Sequence, residues 1–137
     1  MRWSPHRELA VRTLLVLIAV GTASPVLVLI DVYTLQISYG VTDPEPMTLA
    51  LLQHRGIMQL VLGAALVWAA FFPAARAAIA LGAIVTKSAF LLLILPDARL
   101  RVELNLFSIV FDSACIVLLS ALATAYLLGR AKEPAAR

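Results

Sequence analysis

Residues 47–72 read MTLALLQHRGIMQLVLGAALVWAAFF, a long and predominantly apolar stretch. A transmembrane helix needs about 20 predominantly apolar residues, because a helix rises about 1.5 Å per residue and the hydrocarbon core is about 30 Å thick. Hydrophobic residues occupy all faces of the helix that this stretch predicts, as expected for a helix surrounded by lipid and other helices. The stretch therefore predicts a membrane span.

Three further apolar stretches of similar length flank this span, and turn-forming residues separate them. Pro73 ends the second stretch, and Pro96 with Asp97 ends the third, since proline cannot continue a helix without losing a backbone hydrogen bond. The predicted spans are 13–30, 47–72, 74–95 and 103–129. The sequence therefore predicts an all-α protein, with residues 1–137 forming one integral membrane domain built as a four-helix bundle.

The composition supports this class and argues against soluble ones. Hydrophobic residues make up 62% of the chain and charged residues 14%, whereas about a quarter of the residues in soluble domains are charged. The net charge of +3 comes from Lys and Arg residues scattered over loops and tails, which form no basic stripe of the kind that binds nucleic acid. We expect membrane lipid as a partner and no nucleic acid.

The distribution of Lys and Arg predicts the orientation of the bundle, because short cytoplasmic segments are enriched in these residues. Arg99 and Arg101 fall on one side of the spans. The larger group on the other side is Arg2, Arg7, Arg12, Arg76, Arg130, Lys132 and Arg137. We therefore expect a multi-pass protein of the bacterial inner membrane or plasma membrane with both termini cytoplasmic. The extracytoplasmic connection 31–46 then contains Tyr33 and Tyr39, which favour a short interfacial helix.

The first span has an alternative interpretation as a cleaved signal peptide. Basic residues precede a short apolar core, and Gly21-Thr22-Ala23 resembles a small-residue cleavage site. The apolar run resumes at Val26 and continues to Ile30, which favours a retained span kinked at Pro25.

Polar and ionisable side chains inside the spans are the candidate functional residues. Each charge at membrane depth costs about 2.5–3.5 kcal/mol even on the lower insertion scales, so it needs a partner, water or a function. Because successive helices run in opposite directions, these side chains fall in the outer half of the bundle or near its midplane. They predict a polar pocket lined by Asp31, His54, Arg55, Gln59, Lys87, Asn105 and Asp112.

The sequence leaves the pairing and the role of these charges open. Arg55 is expected to pair with Asp112, and Lys87 with Asp31 or Asp112. In a structural interpretation these pairs only fix the helix register. In a catalytic interpretation Asp112 or His54 carries a proton, and Arg55 or Lys87 stabilises negative charge.

Metal and cofactor chemistry has little support in the sequence. The chain has two histidines, His6 and His54, and one cysteine, Cys115, so we expect no transition-metal site. It also has no glycine-rich phosphate loop, and no cofactor is expected.

Small residues recur at four-residue intervals in the halves of the predicted helices that lie toward the cytoplasm. Such spacing lets helix backbones approach closely, and it predicts a bundle that packs tightly at the cytoplasmic side and opens outward around the pocket. The residues concerned are Ala65 and Ala69; Ala74, Ala78 and Gly82; and Ala121, Ala125 and Gly129.

The region from Val32 to Leu119 resembles the DoxX-like family of small bacterial four-helix membrane proteins. The matching residues are Tyr39-Gly40-Val41, Asp43-Pro44, His54-Arg55, Leu62-Gly63, Ala69-Ala70-Phe71 with Pro73, Ser88, Phe90 to Leu93, and Asp112. The His54-Arg55 pair is the most specific of these, and Lys87 before Ser88 departs from the family pattern. Some relatives are labelled phosphopantetheine adenylyltransferase, but this chain lacks the H-x-G-H pattern of that enzyme.

The resemblance implies the four-helix fold and, because the family includes redox-associated members, an accessory or assembly subunit with a ligand-binding pocket. Two alternatives remain. One is a small membrane enzyme acting on a lipid, quinone or isoprenoid, with Asp112, His54 and Arg55 as candidate catalytic residues. The other is a dimeric proton-coupled exporter driven by Asp112. The partners expected are therefore a hydrophobic small molecule, a second copy of the chain or another membrane protein.

Overall fold

The computed structural model describes residues 4–31, 33–103 and 106–131, and the regular secondary structure within these ranges is helical. There are also two 3-10 segments in these ranges: Ser24–Leu29 follows the first α-helix, and Pro73–Ala75 precedes the fourth. The α-helices of the described ranges are α1 (Pro5–Ala23), α2 (Tyr33–Tyr39), α3 (Pro46–Phe71), α4 (Arg76–Ile94), α5 (Ala98–Glu103) and α6 (Leu106–Ala131).

Four helical segments are long and apolar enough to cross a membrane: Pro5–Leu29, Pro46–Phe71, Pro73–Ile94 and Leu106–Gly129. The prediction of an all-helical chain with four such segments is confirmed for the described residues. The first helix starts well before residue 13, because Pro5 occupies the first helical turn, where its missing N–H is not needed. The α-helix gives way to the 3-10 segment at Ser24, one residue before Pro25.

Helix α3 packs antiparallel against α1, and two glycines make this close approach possible. A Cβ atom on Gly63 would lie 2.8 Å from the carbonyl oxygen of Ala19, and one on Gly56 would lie 2.9 Å from that of Pro25. Both distances are shorter than real Cβ atoms show. Because the two glycines are about two helical turns apart, they lie on one face of α3.

The second closely packed pair is α4 with α6. Ala80 and Ala83 of α4 and Cys115 and Leu119 of α6 are buried in the same core as side chains of α1 and α3. The two pairs together form a bundle whose interior is filled by small and aliphatic side chains.

The predicted small-residue contacts are partly wrong. Ala69 is buried, but Ala74, Ala78, Ala121 and Ala125 are exposed on the outside of the bundle. A Cβ atom on Gly82 would meet nothing within 4 Å. Four-residue spacing identifies one face of a helix but does not say whether that face points inward, and in α4 and α6 it points outward.

Candidate functional site

A cavity of about 240 Å³, called the pocket below, lies at the end of the bundle where α3 and α6 begin. Its lining residues are Gly21, Thr22, Ser24, Pro25, Ile37, Tyr39, Arg55, Gln59, Lys87, Phe90, Phe107, Ser108, Phe111 and Asp112. All four candidate spans and α2 therefore contribute to it. Sites for drug-sized ligands are commonly about 300–1,000 Å³, so the pocket suits a small molecule or one end of a longer one.

Lys87 of α4 and Asp112 of α6 form an ion pair in the pocket wall. Lys87 Nζ donates a hydrogen bond to Asp112 Oδ1 at 2.5 Å, and the two residues are 2% and 7% exposed. Lys87 Nζ also lies 4.9 Å from the centroid of the Phe111 ring. Each charge thus has a partner of opposite sign, which a buried charge requires.

Arg55 lies in the same pocket, but aromatic rings surround it instead of a carboxylate. Its guanidinium carbon is 4.0 Å from the centroid of the Phe90 ring and 5.3 Å from that of Tyr39. Among the described residues the expected ion pair between Arg55 and Asp112 is not formed, because Asp112 binds Lys87 instead. A cation–π contact is worth about 0.5–2 kcal/mol, so the two rings compensate the charge of Arg55 only in part.

Four buried polar atoms of pocket residues have no hydrogen-bond partner among the residues that the structure describes: Thr22 Oγ1, Tyr39 Oη, Arg55 Nε and Gln59 Oε1. Most buried polar atoms in proteins are hydrogen-bonded, so these four have unused capacity to bind a polar group. The Tyr39 hydroxyl interacts electrostatically with the charge of Arg55 but does not form a well-aligned hydrogen bond with it. Burial raises the pKa of Tyr39, so this hydroxyl remains protonated and able to donate.

Two of the residues predicted for the pocket do not line it. Asp31 is exposed, and its Oδ1 accepts a hydrogen bond from the backbone N–H of Tyr33 at 2.9 Å, at the start of α2. His54 is also exposed, because adjacent helical residues point about 100° apart and Arg55 takes the inward direction. Asn105 lies outside the described residues. Of the catalytic candidates, Arg55 and Asp112 therefore share the cavity and His54 does not.

A second polar cluster, formed by Glu8, Arg12 and Arg76, lies at the opposite end of the bundle. Arg76 is 1% exposed, and its Nη1 and Nη2 donate to the two carboxylate oxygens of Glu8 at 2.9 and 2.6 Å. It also donates to the carbonyl oxygens of Ala69 and Ala70 at 3.0 and 2.8 Å, in the last turn of α3. Arg76 thereby satisfies carbonyl groups that the end of a helix leaves free.

Sequence reasoning missed this cluster. In the sequence Arg76 follows Pro73 in a short connection, and that position indicates only the orientation of the bundle. The available signal was Glu8, an acidic residue four positions before Arg12 near the start of an apolar helix. Their side chains do pair, with 2.9 Å between Arg12 Nε and Glu8 Oε1.

The described residues form no candidate metal centre. No group of three or more His, Cys, Asp or Glu side chains in residues 4–31, 33–103 and 106–131 is placed to hold a metal ion. The single cysteine, Cys115, is buried in the core. No protein-family model, curated protein or solved structure matches this chain.

Proposed function

We propose that this chain is a DoxX-like, multi-pass membrane protein that works as a ligand-binding or accessory module, with the pocket as its binding site. One observation carries the proposal: the Lys87–Asp112 ion pair, Arg55 and four unpartnered polar atoms surround a single cavity. Polar groups at membrane depth are expensive and commonly mark a binding or transport site. A role confined to helix register requires only the ion pair.

The proposed orientation has both termini in the cytoplasm of a cell with an inner or plasma membrane. Arg7, Arg12 and Arg76 belong to the end of the bundle that holds the Glu8 cluster, as the enrichment of cytoplasmic segments in Lys and Arg favours. Exposed Trp68, Phe71 and Phe72 are near the same end, and aromatic residues are enriched at membrane interfaces. The pocket then opens toward the extracytoplasmic half.

Native mass spectrometry of the protein purified in a mild detergent tests the binding role. We expect a bound molecule of defined mass on the wild-type protein. Ser108 lines the pocket, so Ser108→Trp should fill it and remove that adduct. Ser113→Trp is the matched control, because Ser113 is exposed on another face of α6, and it should keep the adduct. Identical adducts on both variants would contradict a ligand site in this pocket.

A membrane enzyme acting on a lipid, quinone or isoprenoid is the second candidate function. It is favoured by a carboxylate and two cations, Asp112, Lys87 and Arg55, around one cavity, since such groups can move a proton and stabilise negative charge. In this mechanism Asp112→Asn abolishes conversion of the bound molecule but leaves its binding. Conversion that is unchanged in Asp112→Asn would remove this carboxylate from the chemistry.

A further inference from the structure

The charges of the described side chains that line the pocket do not sum to zero. Lys87 and Asp112 neutralise each other across 2.5 Å. Asp112 is the single carboxylate among the lining side chains that the structure describes, whereas Arg55 is a second cation. The described wall of the pocket therefore carries one excess positive charge, and it belongs to Arg55.

Three of the four unpartnered atoms can donate a hydrogen bond to a molecule in the pocket. Arg55 Nε can only donate, and the hydroxyl groups of Thr22 and Tyr39 can donate to a molecule in the pocket. The fourth atom, Gln59 Oε1, is an acceptor, while the amide nitrogen of the same side chain is a donor. A cation facing several donors matches a group that accepts hydrogen bonds and carries negative charge.

The apolar part of the pocket wall continues to the outside of the bundle. Phe107 and Phe111 stack with their centroids 5.9 Å apart. Phe107 lines the pocket and is nevertheless 68% exposed, and its neighbour Leu106 is 70% exposed. An aromatic surface thus leads from the polar interior to the outer face of a candidate span, where a hydrocarbon chain would find an apolar environment.

The volume limits what the interior can hold. The cavity of about 240 Å³ is smaller than the roughly 300–1,000 Å³ of sites that enclose a whole drug-sized ligand. That volume accommodates a carboxylate or phosphate group with a few adjoining carbons. Any longer chain on the same molecule has to lie outside the pocket.

We infer that the pocket recognises an anionic oxygen-bearing group, a carboxylate or a phosphate, which binds Arg55 while its attached carbons lie against Phe107 and Phe111. The inference rests on the proposed binding function and specifies its ligand class. A neutral ligand would leave the charge of Arg55 uncompensated, and a cationic ligand would be repelled by it. The anionic group has two sources: the head of a single-chain lipid or a free anion from water.

Binding of radiolabelled oleate to the protein in phosphatidylcholine nanodiscs tests the inference, with empty nanodiscs subtracted. We expect saturable binding that weakens at least about tenfold in Arg55→Gln, because a charge-assisted hydrogen bond is lost. Arg99→Gln is the matched control. Arg99 is an exposed cation that does not line the pocket, so its loss should leave oleate affinity unchanged.

Competitors identify the source of the anion. Displacement of oleate by inorganic phosphate alone supports the anionic class and assigns the ligand to the aqueous phase. Displacement by unlabelled oleate but not by phosphate supports it and assigns the ligand to the lipid phase. Displacement by oleyl alcohol as effective as that by oleate overturns the inference, as does unchanged oleate binding in Arg55→Gln.

Further variants keep these outcomes interpretable. If Arg55→Gln does not fold, Tyr39→Phe tests the same anion site, because it removes one donor and should weaken oleate binding severalfold. Ser108→Trp separates the two proposals. Oleyl alcohol binding that Ser108→Trp abolishes would refute the anionic class but keep the pocket as a ligand site. Amphiphile binding unaffected by Ser108→Trp would refute the pocket itself.

Discussion

Arg76 of α4 binds both carboxylate oxygens of Glu8 of α1, at 2.9 and 2.6 Å, and so connects the two closely packed helix pairs of the bundle. The same guanidinium holds the last carbonyl groups of α3. One buried side chain therefore fixes three helix ends.

Replacing Arg76 by Met should destabilise the protein strongly. The change leaves the partly exposed Glu8 carboxylate without its main partner and uncaps carbonyl groups of α3, and each hydrogen bond to a charged group contributes about 1.5–3 kcal/mol. The measurement is the free energy of unfolding in mixed detergent micelles. Arg12→Gln is the control, because the Arg12 side chain is 44% exposed and an exposed pair contributes at most about 1 kcal/mol. Equal losses in the two variants would contradict the role assigned to Arg76.

The Lys87–Asp112 pair should show strong coupling between its two members. Lys87→Met or Asp112→Leu alone leaves an uncompensated buried charge and should lower the free energy of unfolding by about 3–5 kcal/mol. The double variant removes both charges and should recover most of the stability. Ser113→Ala, an exposed neighbour of Asp112, should stay within about 0.5 kcal/mol of wild type. Additive losses in the double variant would mean that the pair is not coupled.

Two glycine-to-alanine substitutions should differ in their effect on the melting temperature. Gly63→Ala forces a methyl group to 2.8 Å from the carbonyl oxygen of Ala19 and separates α1 from α3, so the melting temperature in detergent should fall. Gly82→Ala adds its methyl group where nothing lies within 4 Å, and alanine favours a helix over glycine by about 1 kcal/mol. The melting temperature should therefore rise or stay constant. A fall with Gly82→Ala as large as that with Gly63→Ala would contradict both the close contact described at Gly63 in α3 and the open space described at Gly82 in α4.

Cysteine labelling tests the proposed orientation. In a Cys115→Ala background, Thr42→Cys and Ala74→Cys introduce exposed thiols in connections at opposite ends of the bundle. A membrane-impermeant maleimide added to intact cells should label position 42 and react at position 74 only after lysis. The reverse result would invert the orientation, and labelling of both in intact cells would exclude a membrane between them.

The helices were predictable from the sequence because hydrophobic length and proline act locally. Apolar stretches interrupted at Pro73 and Pro96 suffice to define the spans, whatever the helices pack against. The first helix was underestimated, since Glu8 and Arg12 are charged but lie inside it and pair with each other.

The site was predictable only in part, because the direction of a side chain around a helix depends on its neighbours. The sequence predicts a similar depth in the bundle for Arg55, Gln59, Lys87 and Asp112. These four residues do line one cavity. It did not reveal that His54 turns outward, or that Lys87 would displace Arg55 as the partner of Asp112.

The Glu8 cluster, in which Arg76 is the central residue, limits how the helices can move. Because it fixes the ends of α1, α3 and α4 at one extremity of the bundle, a change in pocket width at the other extremity would have to occur by pivoting of whole helices. A small rotation of a helix at the Arg76 end would then produce a larger displacement at the pocket end.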